Sequence, residues 1–162
     1  MGGAVMNMQV VKIAETSPKL EMEIRDILGQ AELDPSWLEW AELYVVFDSD
    51  ETVLGVLGAN ELEDTGFMHA VAIRRDLRGK GIGSLLVGHF LAKSAGRFRA
   101  VYLAARGAEG FFDRFGFSPV SMEALPSSLA GAAWMRDLRE ASESLMVLVM
   151  PTESTIYYDD KR

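Results

Sequence analysis

Hydrophobic residues recur along this chain with two periods, and the change from one to the other falls where turn residues cluster. "QVVKIAE" reads as a first strand, and Ser17-Pro18 after it is a strong helix start. From Lys19 to Leu28 the apolar residues Leu20, Met22, Ile24, Ile27 and Leu28 predict an amphipathic helix ending near Gly29. "DPSWLEWAEL" predicts a short helix capped by Asp34 or Ser36. "YVVFDSDETVLGVLGANELED" is a hairpin pattern, with an acidic turn between two apolar runs. "TGFMHAVAI" predicts a strand, followed by a glycine-rich turn and a helix with Ile82, Leu85, Leu86, His89 and Phe90 on one stripe. "AVYLAA" predicts a buried strand, "AEGFFDRF" a short helix closed by Gly116, and "FSPV" the start of a strand. "ALPSSLAGAAWMRDLREA" predicts a further helix and "SLMVLVM" a last strand. Hairpins come first and strands then alternate with helices, an order that predicts an α+β fold with a mixed sheet.

With 162 residues, 49% of them apolar, the chain is long enough for one compact domain and short for two, so residues 1–162 are expected to form a single domain with flexible tails at about 1–8 and 151–162. A net charge of −8 argues against a nucleic-acid backbone as the main partner. The absence of Cys excludes disulfides, thiolate zinc sites and a cysteine nucleophile, and fits a cytoplasmic location. With His69 and His89 as the sole imidazoles, no metal site is expected. Neither a signal peptide nor a membrane span is expected from the apolar runs.

Against this acidic background "VAIRRDLRGKGIGSLLV", Val71 to Val87, reverses sign: Arg74, Arg75, Arg78 and Lys80 face a single Asp76. A basic, glycine-rich turn between a strand and a helix points to an anionic ligand. Spacing sorts the known phosphate-binding designs. The nucleotide P-loop fails, because Arg74 stands where its first glycine belongs and Gly81 follows the lysine. The dinucleotide fingerprint fits at Gly79 and Gly81 but meets Ser84 at its third glycine. What remains is Arg78-x-x-Gly81-x-Gly83, closing a Val-Ala-Ile strand and opening an amphipathic helix.

This pattern resembles the diphosphate loop of the GNAT superfamily, the acyl-CoA-dependent N-acetyltransferases. "AEGFFDRFGF" resembles the superfamily's second signature, and the two together cover about Phe67 to Phe117. Within the superfamily, "YLAARGAEGFFDRFGF" followed by Leu125-Pro126 is most similar to the amino-acid N-acetyltransferases. The resemblance implies a mostly antiparallel twisted sheet of about six to seven strands flanked by helices. It implies acetyl-CoA as co-substrate, with no metal. The backbone of Val71, Ala72 and Ile73 would hold the coenzyme's arm, and Arg78, Gly79, Lys80, Gly81, Ile82, Gly83 and Ser84 its diphosphate. Glycines let a backbone approach a diphosphate, and the helix start adds free N–H groups and about half a positive charge.

Acetyl transfer to an amine needs a base, a held thioester and an oxyanion site. Family bases lie on the strand before the loop, and alternation along it puts positions 67, 69, 71 and 73 on one face, which makes His69 the candidate base. Where many family members carry a proton-donating Tyr, this chain has Phe112, so the general acid is left to water, Tyr102 or Ser84. Trp37 and Trp40 read as core or as an acceptor-pocket wall, and Glu61, Glu63 and Asp64 as a solvated turn or an ammonium attractor. Arg106 and Arg136 are candidates for carboxylate recognition, and His89 for a structural role. The expected reaction is acetyl transfer from acetyl-CoA to the primary amine of a small molecule, possible homodimer formation included, with no nucleic acid or membrane as partner. The competing expectations are acetylation of a protein N-terminus or lysine, and a catalytically silent acyl-CoA-binding module.

Overall fold

Seven strands in the order β1-β2-β3-β4-β5-β7-β6 form one sheet in the computed structural model, which describes residues 7–105, 107–136 and 144–151. The strands are β1 (Gln9–Ile13), β2 (Glu42–Phe47), β3 (Val53–Leu62), β4 (Thr65–Ile73), β5 (Ala100–Ala105), β6 (Ser118–Pro119) and β7 (Ser144–Val149). The helices are α1 (Pro18–Gln30), α2 (Ile82–Ser94), α3 (Glu109–Asp113) and α4 (Ser127–Ala130). The expected α+β class and strand number hold. β4 and β5 run parallel, and the β1–β2, β2–β3, β5–β7 and β6–β7 pairs are antiparallel. Among the described residues no helix is long and apolar enough to cross a membrane. The expected tails fall almost wholly on residues 1–6 and 152–162, outside the described residues.

The chain divides into two compact units, Met1–Ala59 with His69–Ala92, and Asn60–Met68 with Lys93–Arg162. In the first unit, Ser17 caps α1 by accepting from the Leu20 N–H at 3.1 Å. Ile24, Ile27 and Leu28 are the buried stripe of α1, and they cluster with Trp37, Leu38, Leu43, Val45, Val56, Ala70 and Ala72. Burying each large aliphatic side chain contributes about 1.5–3 kcal/mol. Met22 lies off this stripe and is 72% exposed. The Asp34 carboxylate accepts from both the backbone N–H and the hydroxyl of Ser36, starting the 3-10 turn Ser36–Glu39 that carries Trp37 into the core.

The helix expected to end near Gly29 ends one residue later. Helix α1 runs to Gln30 and is closed by a double bond set, Leu33 N–H to the Leu28 carbonyl at 2.9 Å and Glu32 N–H to the Gly29 carbonyl at 3.1 Å. This is the Schellman arrangement, with Leu33 folded back onto the α1 cluster. Its left-handed position is held by Glu32 at φ 57° rather than by a glycine. Since an L side chain there costs about 1–2 kcal/mol, Glu32→Gly is expected to raise stability by about 0.5–1 kcal/mol once the glycine's greater chain entropy is subtracted. Urea denaturation would check this through a higher midpoint at unchanged slope.

The opposite face of this unit's strands carries Tyr44, Gly55 and Ile73 beneath α2. The Tyr44 ring meets Phe90 at 5.6 Å and His89 at 6.0 Å, and the Gly55 Cα faces the Leu86 and Ile73 side chains. Ile82, Leu86, Val87 and Phe90 form the buried side of α2. The expected stripe is therefore rotated: Leu85 is 38% exposed, and Val87 takes its place. Periodicity could not choose between them, because the helix is apolar nearly all round.

In the second unit β4 and β5 pair from Thr65↔Ala100 to Met68↔Leu103. One cluster joins Phe67, Ala100, Tyr102, Leu125, Leu129, Met135 and Leu145, with Trp134 packed on Phe67 at 4.6 Å. The helix expected over residues 124–141 is interrupted: a turn, Ser127–Ala130, ends at Gly131, where chain and Ser127 carbonyl approach closely, and Met135 and Arg136 are helical again. Leu125, Leu129 and Met135 still reach the core, and residues 137–143 lie outside the described residues. β6 stops after two residues, its Pro119 having no N–H for a ladder.

Candidate active site

The basic turn starts where β4 leaves the sheet. The Arg74 N–H donates to the Leu54 carbonyl at 3.0 Å, so the backbone of Val71, three residues earlier, points its N–H and carbonyl away from β3. Pairing of β4 with β5 stops at Met68 among the described residues. Val71 thus keeps its N–H and carbonyl out of the β3 ladder. Ala72 is buried on the α1 side, and the Ile73 carbonyl is already used by Arg78 Nε at 3.3 Å.

After Ile73 the chain makes a 3-10 turn, Arg75–Leu77, pinned by the buried Leu77. Gly79 and Gly81 follow at φ 80° and 87°, conformations that L side chains rarely adopt. A Cβ on either would meet nothing within 4 Å, so both face open space. The first intrahelical bond of α2 runs from Leu85 N–H to the Gly81 carbonyl at 3.0 Å. The N–H groups of Ile82, Gly83 and Ser84 have no carbonyl a turn earlier, and among the described hydrogen bonds none uses an N–H from Gly79 to Ser84. These donors lie at the positive end of a helix of thirteen residues, where an anion is favoured.

The four cations of the turn are not equivalent. Arg74 is paired with Asp76 at 3.1 Å. Arg75 and Arg78 both donate from Nη2 to the Gln30 carbonyl at 3.3 Å, and the Arg75 N–H donates to Gln30 Oε1 at 2.9 Å. Lys80 is exposed and, among the described residues, is the loop cation without a hydrogen bond or ion pair. Gln30 was invisible to sequence reasoning: nothing about a glutamine in a helix's last turn announces a partner forty-five residues on.

His69 is half-buried between two indoles, stacked on Trp37 at 6.3 Å and edge-on to Trp40 at 5.0 Å. Burial lowers its pKa from the ordinary 6.5 to about 4, which leaves the imidazole neutral near pH 7. Trp37 lies over the bare face of Gly58, whereas Ile73 lies over Gly55. Positions 55 and 58 are on opposite faces of a strand, so His69 and Ile73 do not share a face, contrary to the expected alternation. Ala70 and Ala72 belong with the α1 cluster, which also holds Trp37, the indole on which the imidazole stacks.

The remaining candidates separate cleanly. Trp37 is core at 6% exposure, while Trp40 is 45% exposed and gives the imidazole an aromatic wall at the surface. Glu61 pairs with Arg97 at 3.1 Å and Asp64 with Arg99 at 3.3 Å, and Glu63 sits in the turn at φ 55°. Arg136 is exposed, and Arg106 lies outside the described residues. Ser84 is exposed on the first turn of α2. Tyr102 is buried in the second unit's cluster, and desolvation raises its hydroxyl's pKa, with Arg99 opposing and Asp64 adding to the rise. Among the described residues no group of three or more His, Cys, Asp or Glu is placed to hold a metal ion.

Phe112 is buried in the second unit among Phe111 at 5.0 Å and Phe117 at 5.9 Å. In such surroundings a new hydroxyl lacks an evident partner. Phe112→Tyr is expected to leave turnover within about threefold and to cost about 1–2 kcal/mol of stability. Steady-state rates and a thermal melt on the same preparation check both halves.

A strand, a glycine turn with open donors and a helix stand together in a mixed sheet. The model of the acetyltransferase (GNAT) family matches residues 10–117, which include the loop, His69 and Phe112. The chain belongs to this family of acyl-CoA-dependent N-acyltransferases. A search of curated proteins finds no match. Among solved structures, a GNAT-family acetyltransferase from Staphylococcus aureus Mu50 superposes with a TM-score of 0.70 at 12% identity, covering 89% of this chain and 99% of that one. N-acetylglutamate synthase from Neisseria gonorrhoeae, complexed with coenzyme A and N-acetyl-glutamate, gives 0.69 at 18% identity, covering 88% of this chain and 35% of that one. An aminoglycoside 6'-N-acetyltransferase complexed with coenzyme A gives 0.66 at 16% identity, covering 88% and 98%. At these identities the likeness is one of fold.

Proposed function

We propose that this protein transfers acetyl from acetyl-CoA to the primary amine of a small molecule, an amino acid being the leading class, and that residues 1–162 act as one domain. The observation that carries the reading is the run of N–H donors from Gly79 to Ser84, which together with Lys80 have no hydrogen-bond or ion-pair partner among the described residues. Coenzyme A is a polyanion, and this is where an acidic chain offers it positive potential. Two similar structures, N-acetylglutamate synthase and the aminoglycoside acetyltransferase, are named for small amine acceptors, which supports the choice of acceptor.

The thioester arrives activated, so the chain has to hold it, accept a proton from the amine and receive the developing oxyanion. The Val71 backbone, facing away from β3, would hold the arm and offer its N–H to the carbonyl oxygen. The amine reacts as its free base; as its bond to the thioester carbon forms, the nitrogen becomes strongly acidic, and His69, neutral at pH 7, would accept that proton and pass it to solvent. Attack is direct, from amine nitrogen to thioester carbon, and the sulfur leaves as thiolate to be protonated by water. There is no Cys to carry an acyl intermediate.

A thiol-release assay with acetyl-CoA against a panel of amino acids, polyamines and amino sugars tests the reading. Release that depends on one class of amine is the expected result. Tight coenzyme A binding with no amine-dependent release across the panel would replace this reading by a silent binding module, the case that Phe112 leaves open.

A further inference from the structure

We propose that Gln30 is a positioning residue for the anion loop, and that Arg75 and Arg78 brace the loop through it while Lys80 and the free N–H groups meet the ligand's diphosphate. This rests on reading the loop as the acyl-CoA site. The Gln30 side chain accepts from the Arg75 N–H at 2.9 Å, fixing the entry to the 3-10 turn. Its carbonyl, one of the last of α1 and left without an intrahelical donor, accepts from both guanidinium groups at 3.3 Å. The negative end of α1 strengthens that attraction. Arg78 also donates from Nε to Ile73, so its fork ties the end of a helix to the end of a strand. Across this span sit the loop's glycines, which on their own would let the backbone wander. The Schellman closure at Leu28–Leu33 holds the α1 end itself in place.

Two kinds of arginine role follow, and they respond differently to substitution. A guanidinium that touches phosphate acts by charge, which Lys can replace in large part. A guanidinium that joins two carbonyls acts by its planar fork, which Lys cannot reproduce. A phosphate-touching cation also steepens the salt dependence of binding, whereas a brace leaves it alone.

The test compares Gln30→Met, Arg78→Lys and Lys80→Met with the unmodified chain by calorimetry with coenzyme A from low to moderate salt, together with hydrogen exchange in ligand-free protein of the hydrogen-bonded loop amides on either side of the glycines, Leu77 (to the Arg74 carbonyl) and Leu85 (to the Gly81 carbonyl). Gln30→Met and Arg78→Lys are each expected to weaken coenzyme A about five- to tenfold at unchanged salt slope and to speed loop-amide exchange by a similar factor. Lys80→Met should weaken binding, flatten the slope and leave exchange as it was. Arg78→Lys binding like the unmodified chain, or exchange unaltered in both brace variants, would overturn the proposal. Should the unmodified chain not bind coenzyme A, the acyl-CoA reading falls, and the exchange measurement still decides whether Gln30 and Arg78 brace the loop.

Discussion

Gly81→Asp is expected to lower the affinity for coenzyme A by at least about a hundredfold in a chain that still folds. Gly81 sits at φ 87° with open space where a Cβ would project, so the new side chain clashes with nothing and its carboxylate stands where the diphosphate should lie. Two unit charges 4 Å apart repel by about 4 kcal/mol at an effective dielectric near 20, roughly a thousandfold, and solvent at an open loop reduces this. The backbone strain is about 1 kcal/mol, at the low end for an L residue because Asp and Asn enter the left-handed region more readily than others. Gly81→Asn carries the same backbone demand without the charge, and should lose only a few-fold. Calorimetry on both variants, with thermal melts as the fold control, separates charge from strain. Affinity unchanged in folded Gly81→Asp would remove the anion-loop reading, and equal loss in Asp and Asn would assign the effect to the backbone.

The parts of the fold legible in the sequence are those with a local cause. The Ser17-Pro18 helix start, the acidic hairpin turn and the Gly116 stop are settled within a few residues, by a cap, by the Asp48 carboxylate accepting from Asp50 and Thr52 N–H groups, and by a φ of 98°. The glycine loop was legible for the same reason. What escaped depended on distant partners. Which side of α2 is buried was set by Tyr44 and Gly55, not by a pattern in a nearly all-apolar helix. The long helix after Leu125 gave way at Gly131, where the same apolar residues reach the core without continuous helix. Alternation grouped His69 with Ile73, yet the imidazole stacks on Trp37, which covers Gly58, whereas Ile73 covers Gly55 on the other face; a ring's direction is set by such partners and not by strand parity alone. The basic turn read as a uniform +3 patch, yet three of its four cations are committed to Asp76 and Gln30. Charge can be counted along a chain; its commitment is a matter of contacts.

Removing the His69 imidazole is the second large effect expected. A side chain that accepts the amine's proton contributes about 10²-fold or more, so His69→Ala should lower turnover by that order with coenzyme A affinity nearly intact. His69→Phe keeps a ring between Trp37 and Trp40 and should fall equally, which separates loss of the nitrogen from loss of packing. The pH profile departs from that of an ordinary imidazole. With its pKa lowered to about 4 by burial, His69 is already neutral at pH 5.5 and gives no limb near 6.5; a rise above neutrality reports the acceptor's ammonium instead and persists in both variants. Stability supplies an independent readout. An unfolded imidazole takes up its proton near pH 6.5 and the folded one near 4, so stability is full above 6.5 and falls as pH drops from 6.5 to 4. Both variants should lose that share of the acid sensitivity. Turnover unchanged alongside a flattened stability curve would make His69 a buried structural residue; turnover down a hundredfold in His69→Ala but restored in His69→Phe would assign its role to the aromatic stack and leave the base to be sought elsewhere.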